Sequence, residues 1–324
     1  MYKNKAELTV ERMGNEIKNC YIFIVSTVIL VMKEESEMVN FFLLHEQIFS
    51  GNDDGLVFSV ANGEATVTGY IGEPESVIIP DFYGCYPVTE MRDNAFYNCE
   101  SLTDIIISSN VRIIGHHCFY ACSALERVDL PTNLCQIGSG CFCGCDRLEF
   151  IVIPETLKAL PDSCFRACLS LEELILPSEL ESIGDLCFSD CESMIKIDIG
   201  RNIKSIGGGA FYMCRKLNSI HIPPTCEIIG AQALGFDCDG NELVRKEKFL
   251  IEGADGSIAQ KYASENGFDF SVPSEATETF VTMTSLKKSV MWNHKLLLSG
   301  TVVFAVFATV CFRCLILHKR KKDK

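Results

Sequence analysis

Cysteine and histidine are the residues of this chain that could do chemistry, and their densest group is Cys141, Cys143 and Cys145. Thiolates and imidazoles bind zinc when four of them converge, usually as two pairs with spacings such as C-x-x-C. The run C-x-C-x-C has no second pair of this kind beside it, so it is a weak zinc signal. The adjacent His116 and His117 are more typical of a solvated turn than of a metal site.

Motifs for catalysis are absent from the sequence. It contains no H-E-x-x-H, G-x-S-x-G or Walker loop, and no G-x-G-x-x-G between a strand and a helix. The glycine run 207–209 directly precedes Ala210 and Phe211, a position that favours a turn over a phosphate-binding loop. We therefore predict no catalytic, cofactor-binding or metal-binding residues, and no enzymatic activity.

Most of the cysteines belong to an internal repeat, which begins at Val88 and runs six times with a period of 23 residues. The phenylalanine column is Phe96, Phe119, Phe142, Phe165, Phe188 and Phe211. The cysteine column, three residues further on, is Cys99, Cys122, Cys145, Cys168, Cys191 and Cys214. Spacings of three, continued by a leucine column, predict a short helical or 3₁₀ turn that points these side chains into a core.

A second cysteine column, Cys118, Cys141, Cys164 and Cys187, precedes the phenylalanine. Ala95 and Ala210 occupy the same place in the first and last repeats, so the position accepts any small apolar side chain. A buried free thiol behaves in that way. We expect free core thiols, and leave disulfide pairing open for the five cysteines outside these columns, Cys85, Cys135, Cys143, Cys226 and Cys238.

The rest of each repeat predicts a short strand and a corner. Alternating pairs such as Leu174 and Leu176 end at a proline, as a short strand does. A second apolar pair is followed by glycine, for example Gly115, which suits a corner with positive φ. A repeat of 20 to 29 residues with leucine and isoleucine columns predicts a leucine-rich repeat solenoid. Each repeat would supply one short parallel strand and a short helical turn.

The repeat consensus I-G-x-x-[AC]-F-x-x-C-x-x-L-x-x-I-x-I-P resembles the BspA-like bacterial subclass of leucine-rich repeats over residues 88–225. The stretch from Val57 resembles the irregular N-terminal unit of that family, and Phe249 to Phe270 resembles its closing unit. The resemblance implies a surface-exposed protein of bacterial type with a binding or adhesive role. It implies no catalytic residues.

These patterns divide the chain into seven segments. They are a leader, 1–50, with a signal-like apolar run at 20–32; an irregular N-terminal unit, 51–87; six repeats, 88–225; a C-terminal cap, 226–270; a stalk, 271–295; a transmembrane helix, 296–317; and a basic cytoplasmic tail, 318–324. Within the cap, Ser257 to Asn266 has a helical pattern, and Gly267 lies where such a helix would stop.

The membrane prediction depends on the run from Leu296 to Leu317, whose 22 largely apolar residues are long enough to cross a bilayer. The basic tail behind it favours the cytoplasm, which leaves the repeats outside the cell. The segment LLLSG also faintly resembles a wall-sorting signal, although Leu297 replaces the characteristic proline. The run 20–32 has three interpretations: a cleaved export signal, an uncleaved anchor, or a leader translated from a misplaced start codon.

Charge limits the choice of partner. The formal net charge is -14, and residues 51–290 contain 35 acidic against 17 basic side chains. A body of this charge repels phosphate backbones, which disfavours nucleic acid as a ligand.

The candidate binding surface is the outward side of the predicted strands, which in a solenoid forms an extended face. Phe150, Val152, Ile175 and Ile195, from three consecutive repeats, could form an apolar patch there. The candidate acidic rim of this patch is Glu126, Glu149, Glu172, Glu173 and Asp198. The main hypothesis is a membrane-anchored recognition or adhesion protein that binds an extracellular protein or glycan. The alternative is a structural spacer that self-associates.

Overall fold

The computed structural model describes residues 55–240 and 242–273, and residues 55–272 belong to one compact unit. The chain winds into a β-solenoid of about nine turns with a spacing of about 23 residues, as the repeat predicted. The predicted leader and transmembrane segment lie outside the described residues. Within 55–240 and 242–273, no helix is both long enough and apolar enough to span a bilayer.

Short strands account for most of the regular structure. In chain order they are β1 (Leu56–Ala61), β2 (Glu64–Tyr70), β3 (Ser76–Ile78), β4 (Phe82–Tyr83), β5 (Tyr86–Met91), β6 (Asp104–Ile106), β7 (Ile113–Ile114), β8 (Arg127–Asp129), β9 (Gln136–Ile137), β10 (Phe150–Val152), β11 (Ala159–Leu160), β12 (Glu173–Ile175), β13 (Ser182–Ile183), β14 (Ser205–Ile206), β15 (Ser219–His221), β16 (Ile228–Ile229), β17 (Phe236–Asp239), β18 (Glu242–Arg245), β19 (Leu250–Glu252) and β20 (Asp269–Ser271). One helix, α1 (Ile258–Asn266), lies between β19 and β20.

The three-residue strands form the first ladder, which runs in three parallel segments: β3-β6-β8, β10-β12 and β15-β19-β20. The predicted strand is therefore confirmed in the first four repeats and in the sixth. In the fifth repeat no strand is assigned at the predicted position. There Gly200 stands in place of the usual proline with φ +78°, and its N–H donates to Asp198 Oδ1 at 3.0 Å.

The two-residue strands form a second parallel ladder that the sequence did not predict. It runs as β5-β7-β9 and then as β11-β13-β14-β16, on the residues that directly precede the corner of each repeat. At the N-terminal end, β1 and β2 pair antiparallel, and β2 continues into the ladder through β5. Except for the fifth, each repeat thus contributes two short strands, and the prediction of a single strand per repeat was wrong.

The predicted helical turn is also wrong. The segment around the phenylalanine is a chain of tight turns, in which Tyr97 N–H donates to Asn94 O at 3.1 Å and Cys99 N–H to Phe96 O at 3.2 Å. Asn94 and Asn98 both have φ +60°, in the left-handed region. A right-handed helix cannot pass through these two residues. The three-residue spacing arises from consecutive turns, which place the same side chains inward.

The core is the stack of phenylalanine and cysteine columns. All six phenylalanines are buried, and consecutive rings lie 5.2–5.6 Å apart between centroids at interplanar angles of 6–19°. Offset stacks at this separation add stabilisation to the burial of the rings. The core prediction for these columns is confirmed except at Cys99, which is half-buried in the first repeat.

The corner glycines have a different role from the one predicted. Gly115, Gly138, Gly184, Gly207 and Gly230 do not have positive φ. A Cβ on any of them would lie well under 3.0 Å from a backbone nitrogen of the preceding coil. The two backbones approach so closely that no side-chain atom fits between them, and this is why glycine is required here.

The C-terminal cap ends the stack. Ser257 caps the start of α1 by accepting from Gln260 N–H, and Gly267 ends it with φ +68°, as predicted. Asp237 occupies the cysteine position of the seventh unit. Beside it, Lys246 Nζ donates to Cys214 O and Arg215 O at 3.0 Å each, and to Leu217 O. The ammonium group thus satisfies three carbonyls at the end of the last regular repeat.

Candidate functional site

The first ladder places alternate side chains on its two sides. The central residue of each strand points into the core, and Ile105, Val128, Ile151, Leu174 and Ile220 are all buried. The two residues that flank it point outward, because successive strand side chains alternate. We call this outward surface the strand face.

The strand face brings together part of the predicted apolar patch. Val152 pairs with Ile175 and Phe150 with Glu173 in the register of β10 and β12. Val152 is 45% exposed, whereas Phe150 and Ile175 are half-buried. Ile195 is 57% exposed. It occupies the repeat position of Glu172, so it lies at the edge of the face rather than beside Ile175.

The apolar column extends further than the sequence indicated. Ile78 pairs with Ile106 in the same outward column, and the two side chains are 58% and 54% exposed. Asp129 follows Ile106 and separates this pair from Val152 and Ile175. The column could have been predicted from the repeat spacing, because Ile106, Asp129, Val152 and Ile175 follow one another at intervals of 23 residues.

The acidic rim is partly neutralised by cations from neighbouring coils. Lys196 Nζ lies 3.4 Å from Glu173 Oε1, and an arginine, Arg147, lies 3.7 Å from Glu126. Asp198 accepts the Gly200 N–H. By contrast, Glu149 and Glu172 are exposed and make no ion pair within the described ranges. These two carboxylates are the charged groups of the rim that remain available to a ligand.

The cysteines of the described residues are all free thiols. Buried column members donate between coils, for example from Cys145 Sγ to Phe119 O at 3.3 Å and from Cys168 Sγ to Phe142 O at 3.2 Å. Burial raises the pKa of Cys122 to about 12 and raises the pKa of Cys141 well above its ordinary range. A thiol held neutral in this way is a weak nucleophile and a weak metal ligand.

The candidate zinc cluster divides between core and surface. Cys141 and Cys145 are fully buried, whereas Cys143 is half-buried near Arg166. Burial raises the pKa of Cys143 as well. Within residues 55–240 and 242–273, no three His, Cys, Asp or Glu side chains are grouped so that they could hold a metal ion.

Cys226 lies outside the two cysteine columns, as predicted, but it is buried. It lies 23 residues after the buried Ile203, in the apolar column that begins with Val88. The three other exposed or half-buried cysteines for which pairing was left open, Cys85, Cys135 and Cys238, are free as well.

The two adjacent histidines have structural contacts in the turns. His116 Nδ1 accepts from Ser139 N–H at 3.0 Å, and His116 N–H donates to Asp93 Oδ1 at 2.7 Å. Both bonds join neighbouring coils. His117 has φ +53° and lies edge-on against Tyr120 at 5.6 Å. The predicted turn is confirmed for both residues.

An exposed aromatic pair on the turn side was missed by the sequence reasoning. Tyr97 and Tyr120 stack at 4.9 Å with an interplanar angle of 3°, and Tyr97 is 52% exposed. The two tyrosines follow consecutive column phenylalanines, so the 23-residue spacing was the available signal. The pair lies on the turns, whereas the apolar patch lies on the first ladder.

The architecture and the strand face define a class of protein, the leucine-rich repeat solenoid with an open ladder face. Residues 89–191 and 135–244 match the family model of the BspA type Leucine rich repeat region, in six copies. The repeat region of this chain therefore belongs to the BspA type of leucine-rich repeats, as the resemblance implied. Proteins of this repeat class generally serve in binding or as scaffolds.

Several solved structures are similar to this chain. A leucine-rich repeat protein of T. pallidum is 24% identical, with 51% of this chain and 89% of that chain covered and a TM-score of 0.45. A leucine rich cell surface protein of Faecalibacterium prausnitzii is 24% identical, with 60% and 58% covered and a TM-score of 0.43. A leucine-rich repeat protein of Bacteroides ovatus is 23% identical, with 68% and 76% covered and a TM-score of 0.33. No curated protein sequence matches this chain.

Proposed function

We propose that this chain is a non-enzymatic recognition or adhesion protein, displayed outside the cell, that binds a protein or glycan ligand through the strand face. The observation that carries the proposal is the exposed apolar column on a ladder whose inward side is fully packed. Val152 is 45% exposed beside Ile175, although the solenoid has a large core in which it could bury apolar side chains. Apolar residues that cluster on a surface mark interaction sites.

The same proposal includes anchoring by the segment from Leu296 to Leu317, with the basic tail in the cytoplasm. Support comes from the length and hydropathy of that segment in the sequence. Protease treatment of intact cells should remove the repeats and leave a membrane-bound C-terminal fragment. Release of the whole chain by peptidoglycan digestion would instead indicate wall attachment.

A screen of glycans and matrix proteins against the full-length chain tests the recognition role. We expect at least one ligand whose binding is lost in Val152→Asp, because a charge replaces the apolar contact. The matched control is Ile228→Asp, since Ile228 is 61% exposed on the second ladder. Unfolding curves of both variants separate lost binding from lost stability. Equal loss of binding in both variants would overturn the role of the strand face.

A structural spacer that self-associates is the second candidate. It is favoured by the two ends of the first ladder, because β3 and β20 each pair on one side only within the described residues. Unpaired strand edges are templates for pairing with another chain. A molecular mass that rises with concentration in light scattering would support this candidate, whereas a constant monomer mass would refute it.

A further inference from the structure

Stacked carboxylates lie at the edge of the strand face that carries the apolar column. Glu126, Glu149 and Glu172 occupy the same repeat position in three successive coils. Neighbouring strands in a ladder are ~4.8 Å apart, and like charges placed side by side destabilise a sheet. Glu126 is compensated by Arg147 at 3.7 Å. Glu149 and Glu172 are not compensated by any described residue.

Several other carboxylates of the solenoid are neutralised by a cation one repeat away. Lys204 lies 2.6 Å from Glu181, and Arg215 lies 3.2 Å from Glu192. In both cases the partners are 23 residues apart, as are Lys196 and Glu173. Glu149 and Glu172 have no such cation among the described residues, and they lie on the coils that carry Phe150, Val152 and Ile175.

We propose that the ligand of the strand face is a basic polypeptide segment in which Lys or Arg alternates with aliphatic residues, an inference that rests on the proposed function. Aliphatic side chains of the segment would cover Val152 and Ile175. Its cations would pair with Glu149 and Glu172 and remove their mutual repulsion. The net charge of -14 attracts such a segment and repels sulfated or phosphorylated polymers.

Three ten-residue peptides test this proposal against the full-length chain in detergent micelles. They are five repeats of Lys-Val, of Lys-Ser and of Glu-Val. We expect Lys-Val to bind at least tenfold more tightly than the other two, because only it offers both cations and apolar side chains. Equal binding of Lys-Val and Lys-Ser would show attraction by charge alone and overturn the proposal.

Paired variants locate the site. The double variant Glu149→Gln and Glu172→Gln should weaken Lys-Val binding by about fivefold or more, since it removes both carboxylates that pair with the cations of the peptide. Glu227→Gln, beside the second ladder, should leave binding unchanged. If both variants weaken binding equally, the inference is wrong.

The peptide result can be told apart from a failure of the proposed function. If no peptide binds, but a glycan or protein from the screen binds in a way that depends on Val152, the proposed function stands and the basic partner is refuted. If no ligand from either source depends on Val152, the function and the inference both fall.

Discussion

Raising the pH above 9 should unfold this protein, because its core holds neutral thiols. Nine cysteines are almost completely buried, namely Cys118, Cys122, Cys141, Cys145, Cys164, Cys168, Cys187, Cys191 and Cys214. Burial raises the pKa of Cys122 from its ordinary value of 9.0 to about 12. In the unfolded chain the same thiols ionise near the ordinary value. Above pH 9 the unfolded state therefore binds fewer protons, and the free energy of unfolding falls as the pH rises.

The size of the effect follows from the number of thiols. At pH 10 a thiol that ionises near pH 9.0 when unfolded and stays neutral when folded costs about 1 kcal/mol of stability. Nine such thiols sum to on the order of 10 kcal/mol, which is comparable to the whole stability of a typical domain of about 5–15 kcal/mol. Burial lowers the pKa of Lys246, which acts in the opposite direction, but it is a single group.

Urea unfolding of the full-length protein, followed by circular dichroism in the presence of a reductant, measures this loss. We expect the urea midpoint to be nearly constant from pH 7 to 8 and to fall steeply between pH 9 and 10. Cys118→Ala, which copies the residue found at Ala95 and Ala210, should reduce the loss at pH 10 by about 1 kcal/mol. Cys135→Ala, at an exposed position, should not change it. A midpoint that stays constant up to pH 10 would refute the buried-thiol reasoning.

Three further predictions concern the scaffold. Gly138→Ala should destabilise the protein more than Gly144→Ala. A Cβ on residue 138 would clash with the backbone of the preceding coil, whereas a Cβ on residue 144 mainly adds the ~1–2 kcal/mol cost of positive φ, here +76°. Equal shifts of the melting temperature would contradict this. Phe142→Ala should lower the free energy of unfolding in urea by about 3–5 kcal/mol, since it removes a buried ring and its stacking with two neighbours. A decrease of less than about 1 kcal/mol would contradict this. Lys246→Met should increase the rate of amide hydrogen exchange in the C-terminal cap but not around Phe142. The variant leaves carbonyls at the end of the last regular repeat without their hydrogen-bond donor. An unchanged exchange rate in the cap would show that the ammonium group is dispensable.

The repeat pattern predicted the core because a column of identical side chains can be buried only by stacking. Phe142 and Cys145 illustrate this, since their spacing alone placed them correctly inside. The pattern could not distinguish two reasons for a glycine. Gly138 is there because backbones approach closely, whereas positive φ occurs at Asn94 and Asn98. Asparagine tolerates that conformation better than most residues, so its position beside Phe96 was the available signal.

The candidate site was predicted in composition but not in arrangement. Val152 and Ile175 were expected to meet, and the register of β10 and β12 pairs them. The pairing of Lys196 with Glu173 was missed, although opposite charges at one repeat position in successive coils predict it. Ile195 was grouped with the patch because it is an apolar residue at a predicted outward strand position of the next repeat. Its repeat position places it with Glu172 at the edge, which the 23-residue spacing alone could have shown.

Hydrogen exchange of the full-length protein, with and without the strongest ligand from the screen, tests most directly whether the strand face is the functional surface. We predict that bound ligand slows exchange at residues 149–153 and 172–176 and leaves residues 228–231 on the second ladder unchanged. Slowed exchange at 228–231 or around the Tyr97 and Tyr120 pair, with no change in β10 and β12, would contradict the account.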